Sequence, residues 1–360
     1  MVDYLYKKGI SSNYNEPMTK QQIERLNEEQ LRTILNNIYQ THNLVNIQQV
    51  KGKDLEIVDT DKYEYILTYS FPCQDLSLAG KGKGMSDTST RSGMLWEVER
   101  ILIECKKLGT LPQILLMENV PQVHGEGNTE DFNKWQLRLE ELGYKNYWQD
   151  LIATDYGIPQ TRNRCFMVSI LGDYSYSFPP KQPLKLKLKD MLEDNVDEKY
   201  YIDDDLLQHI IKTKKETPEY TQYDRYNGEF EQLCRVWKDK SPTLHTKSKD
   251  IKIYEYKKQL TETLINVKNI EKTQMLDLYN RNAVADNLCQ TVDMGYHNSM
   301  RLLHESRIRK LTPKECFRLM GVKDEDYEKV AKNQSDASLY HLAGDSIVVN
   351  VLMAIFKELL

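Results

Sequence analysis

A handful of residues in this chain carry reactive groups at the ends of apolar, strand-like runs. Cys73 stands in Phe71-Pro72-Cys73-Gln74-Asp75-Leu76-Ser77, directly after Tyr65-Ile66-Leu67-Thr68-Tyr69. Many α/β enzymes hold their reacting groups at the carboxyl ends of strands, and Pro-Cys at such an end sets a thiol in a loop. A thiol attacks only when ionised or partnered, so its site must supply electropositive or hydrogen-bonding help; without that, Cys73 is a buried structural cysteine. Glu118-Asn119-Val120 ends a second apolar run, Leu111 to Met117. A carboxyl there can act as a general acid, and the Asn119 amide can fix the Pro72-Cys73 backbone. The plainer reading of Glu118 is a surface glutamate at a strand end. Gln160-Thr161-Arg162-Asn163-Arg164 leads into a third run, Arg164 to Leu171. On an extended segment Arg162 and Arg164 point to the same face, with Gln160 in their register. Such a pair grips a phosphate, or brackets a base and Glu118, through bidentate hydrogen bonds, or else forms a solvated strand edge.

The elements that must position these groups are legible in outline. Thr19-Lys20-Gln21-Gln22 reads as a capping box, followed by Ile23, Leu26, Leu31, Ile34, Leu35 and Ile38 at helical spacing up to about Thr41. A short extended piece is expected near Val45 to Val50, then the strand that leads to Cys73. Leu95 to Leu108 reads as a helix with Val98, Ile101, Leu102 and Cys105 on one face, and Thr129 to Gly143 as another. Strands alternating with helices imply βαβ units and a mainly parallel sheet. After Pro179-Pro180 the chain turns polar and rich in Lys and Tyr to about Leu303, which marks a second, smaller domain. Helical signals return at Thr312-Pro313-Lys314-Glu315, and the apolar run Ile347 to Leu360 is expected to be buried. Gly344-Asp345-Ser346-Ile347 is read as the opening of that last helix, whose N–H groups either hold an anion or are simply capped. Gly80-Lys81-Gly82-Lys83-Gly84 follows the thiol and does not link a first strand to a helix, so it is not a dinucleotide loop.

Composition narrows the class. The chain has 360 residues, enough for one large or two moderate domains, and a net charge of only −5. Nucleic-acid binding would then need a local basic surface, not bulk charge. Cys73, Cys105, Cys165, Cys234, Cys289 and Cys316 form no C-x-x-C pair and show no zinc-ligand spacing, so no metal is expected and a reduced, cytoplasmic setting fits best. No signal-peptide core opens the chain, and no apolar stretch is expected to reach the roughly 20 residues of a membrane span.

Taken in order, Pro-Cys-Gln, Glu-Asn-Val, Gln-x-Arg-x-Arg, Arg-x-Leu-Thr-Pro-x-Glu (Arg309 to Glu315) and the terminal Gly-Asp-Ser-Ile resemble the blocks of the cytosine-5 DNA methyltransferases. The resemblance runs from about Asn43 to Leu360. It implies an α/β fold, a Rossmann-like mainly parallel sheet of the S-adenosylmethionine-dependent methyltransferase type, N-terminally incomplete, with a smaller target-recognition domain at 181–303. Residues 1–180 and 304–360 would form the discontinuous catalytic domain. It makes Cys73 the nucleophile for carbon 6 of cytosine, Glu118 the partner of ring N3, and Arg162 and Arg164 active-site arginines. Pro72, Leu95, Asp345, Ser346 and Ile347 would line the S-adenosylmethionine pocket, with Asn46 where an aspartate usually meets adenine. Gln74, Ser77, Asn119 and Gln160 would serve the substrate, double-stranded DNA with its base flipped out of the stack.

Two departures qualify the likeness. The family opens with a strand ending in Phe-x-Gly-x-Gly and a second ending in an acid for the cofactor ribose; this sequence holds neither, and Asp345 replaces the usual Asn. Each lost hydrogen bond to the cofactor is worth on the order of 1 kcal/mol. The expectation is therefore an enzyme truncated at its N-terminus, a split enzyme whose missing segment is a separate polypeptide, or a catalytically silent DNA-binding remnant.

Overall fold

The computed structural model describes residues 1–12, 16–71, 94–201 and 309–360 in full, and the backbone of short strands between 221 and 308. They form two compact units, Met1–Asp150 with Arg164–Ser177, and Leu151–Asn163 with Phe178–Leu360.

The first unit opens with three helices, α1 (Val2–Lys8), α2 (Lys20–Glu24) and α3 (Glu28–Gln40). Reciprocal capping boxes start α2 (Thr19 with Gln22) and α3 (Asn27 with Gln30), each satisfying orphan N–H groups of the first turn. Leu5, Ile10, Ile23, Leu31 and Ile38 form a small core among them. The expected extended piece at 45–50 is instead a 3₁₀ turn, Ile47–Gln49. The Asn46 side chain accepts from Gln48 N–H at 3.0 Å, and Arg100 donates to the Ile47 and Val50 carbonyls at 3.0 and 2.7 Å. Side-chain partners of this kind outcompete extended pairing. Gly52 follows, where a Cβ would sit 2.8 Å from the Cys105 backbone nitrogen, so only glycine allows this approach.

Strand β1 (Ile66–Tyr69), helix α4 (Leu95–Leu108) and strand β2 (Ile114–Asn119) make one parallel crossover, with Ile66 opposite Ile114 and Tyr69 opposite Met117. Helix α5 (Thr129–Leu142) leads to β3 (Tyr144–Ile152), and β4 (Asn163–Leu171) completes a sheet of order β1-β2-β4-β3. β4 runs antiparallel to β2, so the described sheet is mixed. The link from Ala153 to Arg162 is too short for the crossover that a parallel β3–β4 pair would need. Leu115 and Met117 of β2 and Cys165 and Met167 of β4 share one face, on which Leu95, Val98 and Leu102 of α4 and Trp135 of α5 pack. Each such fully buried side chain contributes about 1.5–3 kcal/mol. The Trp135 indole N–H donates to Tyr69 Oη at 2.9 Å, tying α5 to β1.

In the second unit, short strands β5 (Thr221–Tyr223) and β6 (Cys234–Val236) pair antiparallel. Strands β7 (Gln274–Asp277), β8 (Asn282–Ala283), β9 (Met300–His304) and β10 (Arg307–Arg309) form a sheet of order β10-β9-β7-β8, with every pairing antiparallel. Helix α6 (Pro313–Leu319) starts with the anticipated capping box of Thr312 and Glu315 and Pro313 in its first turn. Glu315 also takes two 2.7 Å hydrogen bonds from Arg309, both side chains being almost fully buried. Helices α7 (Asp324–Ala331), α8 (Asp336–Asp345) and α9 (Val349–Leu359) follow.

Two expectations change here. Gly344 and Asp345 close α8 and do not open α9, whose first N–H, at Val349, already donates to the Met320 carbonyl at 2.9 Å. The last run is buried on one face only: Val351, Ala354 and Ile355 are covered, while Met353 and Leu360 are exposed. Asp336–Leu359 as a whole is long and apolar enough, by length and composition, to cross a membrane, contrary to expectation. The backbone is broken at Ser346 to Val348, and core helices pass the same test.

Candidate active site and family

Period-2 geometry assembles the centre of the candidate site. Glu118 lies opposite Phe166, and Arg164, two residues earlier on β4, projects from the same face. Arg164 Nε lies 3.1 Å from Glu118 Oε1, with side-chain exposures of 17% and 11%. An ion pair in this covered setting is screened less than one in open water. The Ser70 hydroxyl, just past the end of β1, lies 3.4 Å from Glu118 Oε2. Ser70 was not singled out from the sequence, although its place at the strand end before Pro72 was the available signal. Asn119 donates from Nδ2 to the Phe71 carbonyl at 3.0 Å while Oδ1 accepts from Val120 N–H at 2.8 Å. Asn119 thus ties the end of β2 to the end of β1, one residue before Pro72. Pro72, Cys73, Gln74 and Ser77 lie outside the described residues, as does the loop from Gly80 to Gly84.

Gln160 and Arg162 are placed differently from the expectation of one shared, ligand-facing register. Gln160 is fully buried and its Nε2 donates to the Leu319 carbonyl at 2.6 Å, leaving it no substrate-facing surface. Arg162, 5% exposed, donates to the carbonyls of Gly344 and Ser346 at 3.2 and 2.9 Å. Strand alternation fails for it because β4 begins only at Asn163. Arg162 therefore holds the α8–α9 junction from within its own unit.

The residues expected around the cofactor divide between the two units. Leu95, the first residue of α4, is wholly buried in the core. Asn46 uses its side-chain oxygen to cap the turn at Ile47. Ser346 Oγ donates to the Leu342 carbonyl at 2.6 Å, and Asp345 is an exposed carboxylate 2.9 Å from His341 Nδ1. That donor set fits one end of S-adenosylmethionine: the exposed Asp345 carboxylate suits the α-ammonium of its amino-acid part. Besides Asp345, no carboxylate stands among these residues.

Residues 8–360 match the family model of the C-5 cytosine-specific DNA methylases. The chain is 34% identical over 367 residues to the type II methyltransferase M2.ScrFI of Lactococcus lactis subsp. cremoris, covering 100% of this chain and 82% of that protein. It is 29% identical over 370 residues to the orphan methyltransferase M.SssI of Spiroplasma monobiae, covering 100% of this chain and 81% of that one. Its fold is similar to that of the Entamoeba histolytica methyltransferase EhMeth, at TM-score 0.54 and 16% identity over 90% of this chain and 86% of the other. The chain belongs to the C-5 cytosine-specific DNA methylases, enzymes that methylate DNA cytosine with S-adenosylmethionine as donor.

Proposed function

We propose that the chain methylates carbon 5 of a cytosine flipped out of a specific double-stranded DNA sequence, through a covalent adduct of Cys73 to carbon 6. Carbon 5 of cytosine is too weak a nucleophile to take a methyl group unaided. Addition of the Cys73 thiolate to electron-poor carbon 6 turns carbon 5 into an enamine-like nucleophile. Glu118, a hydrogen-bonding carboxyl at ring N3, offsets the negative charge that this attack places on the ring. Arg164 orients that carboxyl, and Asn119 holds the backbone that enters the Pro72-Cys73 loop. S-adenosylmethionine would supply the methyl group, with Asp345, Ser346 and Ile347 the candidate residues for its amino-acid end. Loss of the carbon 5 proton and expulsion of the thiol then restore the aromatic ring.

The observation that carries this reading is the Arg164–Glu118 contact at the end of β2, adjoining the Asn119–Phe71 tether. Residues 181–303 serve target recognition, and 1–180 with 304–360 catalysis; the antiparallel strands β5 to β9, so unlike the β1–α4–β2 crossover, support that division. We place the enzyme in the cytoplasm, in keeping with the buried thiols Cys105, Cys165 and Cys316. One relative is named type II and another orphan, so both a restriction–modification role and a stand-alone role are consistent with this chemistry.

A second reading has its own observation, since Phe-x-Gly-x-Gly does not occur in the sequence. A separate polypeptide then supplies that turn, or the chain binds DNA without methylating it. The test is incubation with duplex DNA and methyl-labelled S-adenosylmethionine. Label at carbon 5 that disappears in Cys73→Ser supports the enzyme. Activity gained only on adding a Phe-x-Gly-x-Gly fragment supports the split form, and tight DNA binding with no transfer in either mixture supports the silent one.

A further inference from the structure

We propose that His124, Asp150 and Cys165 form a binding site for a divalent transition-metal ion of the zinc class. The three residues come from separate elements: the 3₁₀ turn Pro121–His124, β3 and β4. One ligand atom from each lies within 4.8 Å of the others. Their wide separation along the chain hides them from any search by spacing, which is why the sequence gives no metal signal. His124 Nε2 stands 2.9 Å from Asp150 Oδ1.

The imidazole is held in place before any ion arrives. Trp148 lies against it at a centroid distance of 4.6 Å and Phe132 at 6.2 Å, while Thr129 Oγ1 donates to the His124 carbonyl at 3.0 Å. A set of one imidazole, one carboxylate and one thiol suits a tetrahedral zinc-class ion with a water in the fourth position. It does not suit magnesium or calcium, which take oxygen ligands. Side-chain exposures of 24% for His124 and 32% for Asp150 leave an outer approach, with the buried Cys165 sulfur at the floor. Burial, with Asp150 and Glu118 nearby, pushes the Cys165 thiol well up, so the empty site keeps its proton. Coordination breaks the S–H bond, releases the proton to solvent and forms the metal–sulfur bond, with no change of oxidation state. The alternative is a histidine–aspartate hydrogen bond over an inert core cysteine.

Cobalt(II) titration of the full chain, freed of metal by a chelator, separates the two. The expected result is one equivalent bound, a thiolate-to-cobalt charge-transfer band, and displacement by zinc. Cys165→Ser should abolish the band, His124→Gln should weaken binding at least about tenfold, and Cys73→Ser should leave it in place. Circular dichroism and a thermal transition check that each variant folds. No band in the unaltered chain, a band that survives Cys165→Ser, or one lost in Cys73→Ser overturns the proposal. Should Cys165→Ser not fold, unchanged affinity in His124→Gln overturns it alone.

Discussion

Arg164 reaches Glu118 through Nε at 3.1 Å. Arg164→Ala should lower methyl-transfer turnover about 10²- to 10³-fold, the usual scale for losing one oriented charge-stabilising donor. Duplex affinity should stay within a few-fold. Single-turnover kinetics beside a binding isotherm would check this, and equal losses in both would make Arg164 a phosphate clamp. Arg162→Ala should act on stability instead. It strips donors from the buried Gly344 carbonyl and the half-buried Ser346 carbonyl, at about 1–3 kcal/mol for a buried group left unpaired. A thermal transition lowered by several degrees is the expected readout. The Glu118–Arg164 pair was legible in the sequence because strand alternation governs both residues. Arg162 and Gln160 were not, because they precede the strand and their partners lie on distant helices.

At the scale of elements, local rules carried furthest where the partners are close in sequence. The capping box at Thr312 and Glu315 was read from four residues and is present. Its glutamate does more than cap, since it also neutralises buried Arg309. Glu315→Ala should therefore cost about 3–5 kcal/mol, the penalty for stranding a buried charge, where a cap alone costs about 1. Denaturant unfolding of the two variants Glu315→Ala and Thr312→Ala would separate these terms. The 3₁₀ turn at Ile47 was not legible, because Arg100, far along the chain, bends it. Nor was β3, whose Tyr144-Lys145-Asn146-Tyr147-Trp148 start lacks an apolar alternation.

The α6–α7 corner adds a pH dependence. Hydrogen bonds from Arg318 at 2.8 and 2.6 Å, with Lys314 nearby, hold the Asp324 carboxyl down to about 2 from an ordinary 3.8. A value lowered by folding gives stability that is complete above about pH 4 and lost as pH falls toward 2. Asp324 is 42% exposed, so solvent screening keeps the contribution below about 1 kcal/mol. Acid titration of unfolding should show a shallower slope in Asp324→Asn across that interval, and an unchanged slope would assign the loss to other carboxylates.

For the whole molecule, the order of the sequence blocks was enough to name the family and the α/β class. The direction of β4, and hence the mixed sheet, depended on the short Ala153–Arg162 link, whose length matters more than any residue in it. That same link has a consequence for synthesis. Gln160 is satisfied by Leu319, Arg162 by Gly344 and Ser346, and the Tyr156 carbonyl by Asn350 Nδ2 at 3.1 Å. All of these partners leave the ribosome last. Translation at about 5–20 residues per second separates the link from its partners by roughly 10–40 seconds. During that interval its polar groups must stay hydrated, because buried and unmatched they would be too costly. A nascent chain stalled before Leu319 should be cut by protease within Leu151–Asn163, and one released after Leu360 should resist there. Equal resistance in both would mean the link closes early on partners of its own.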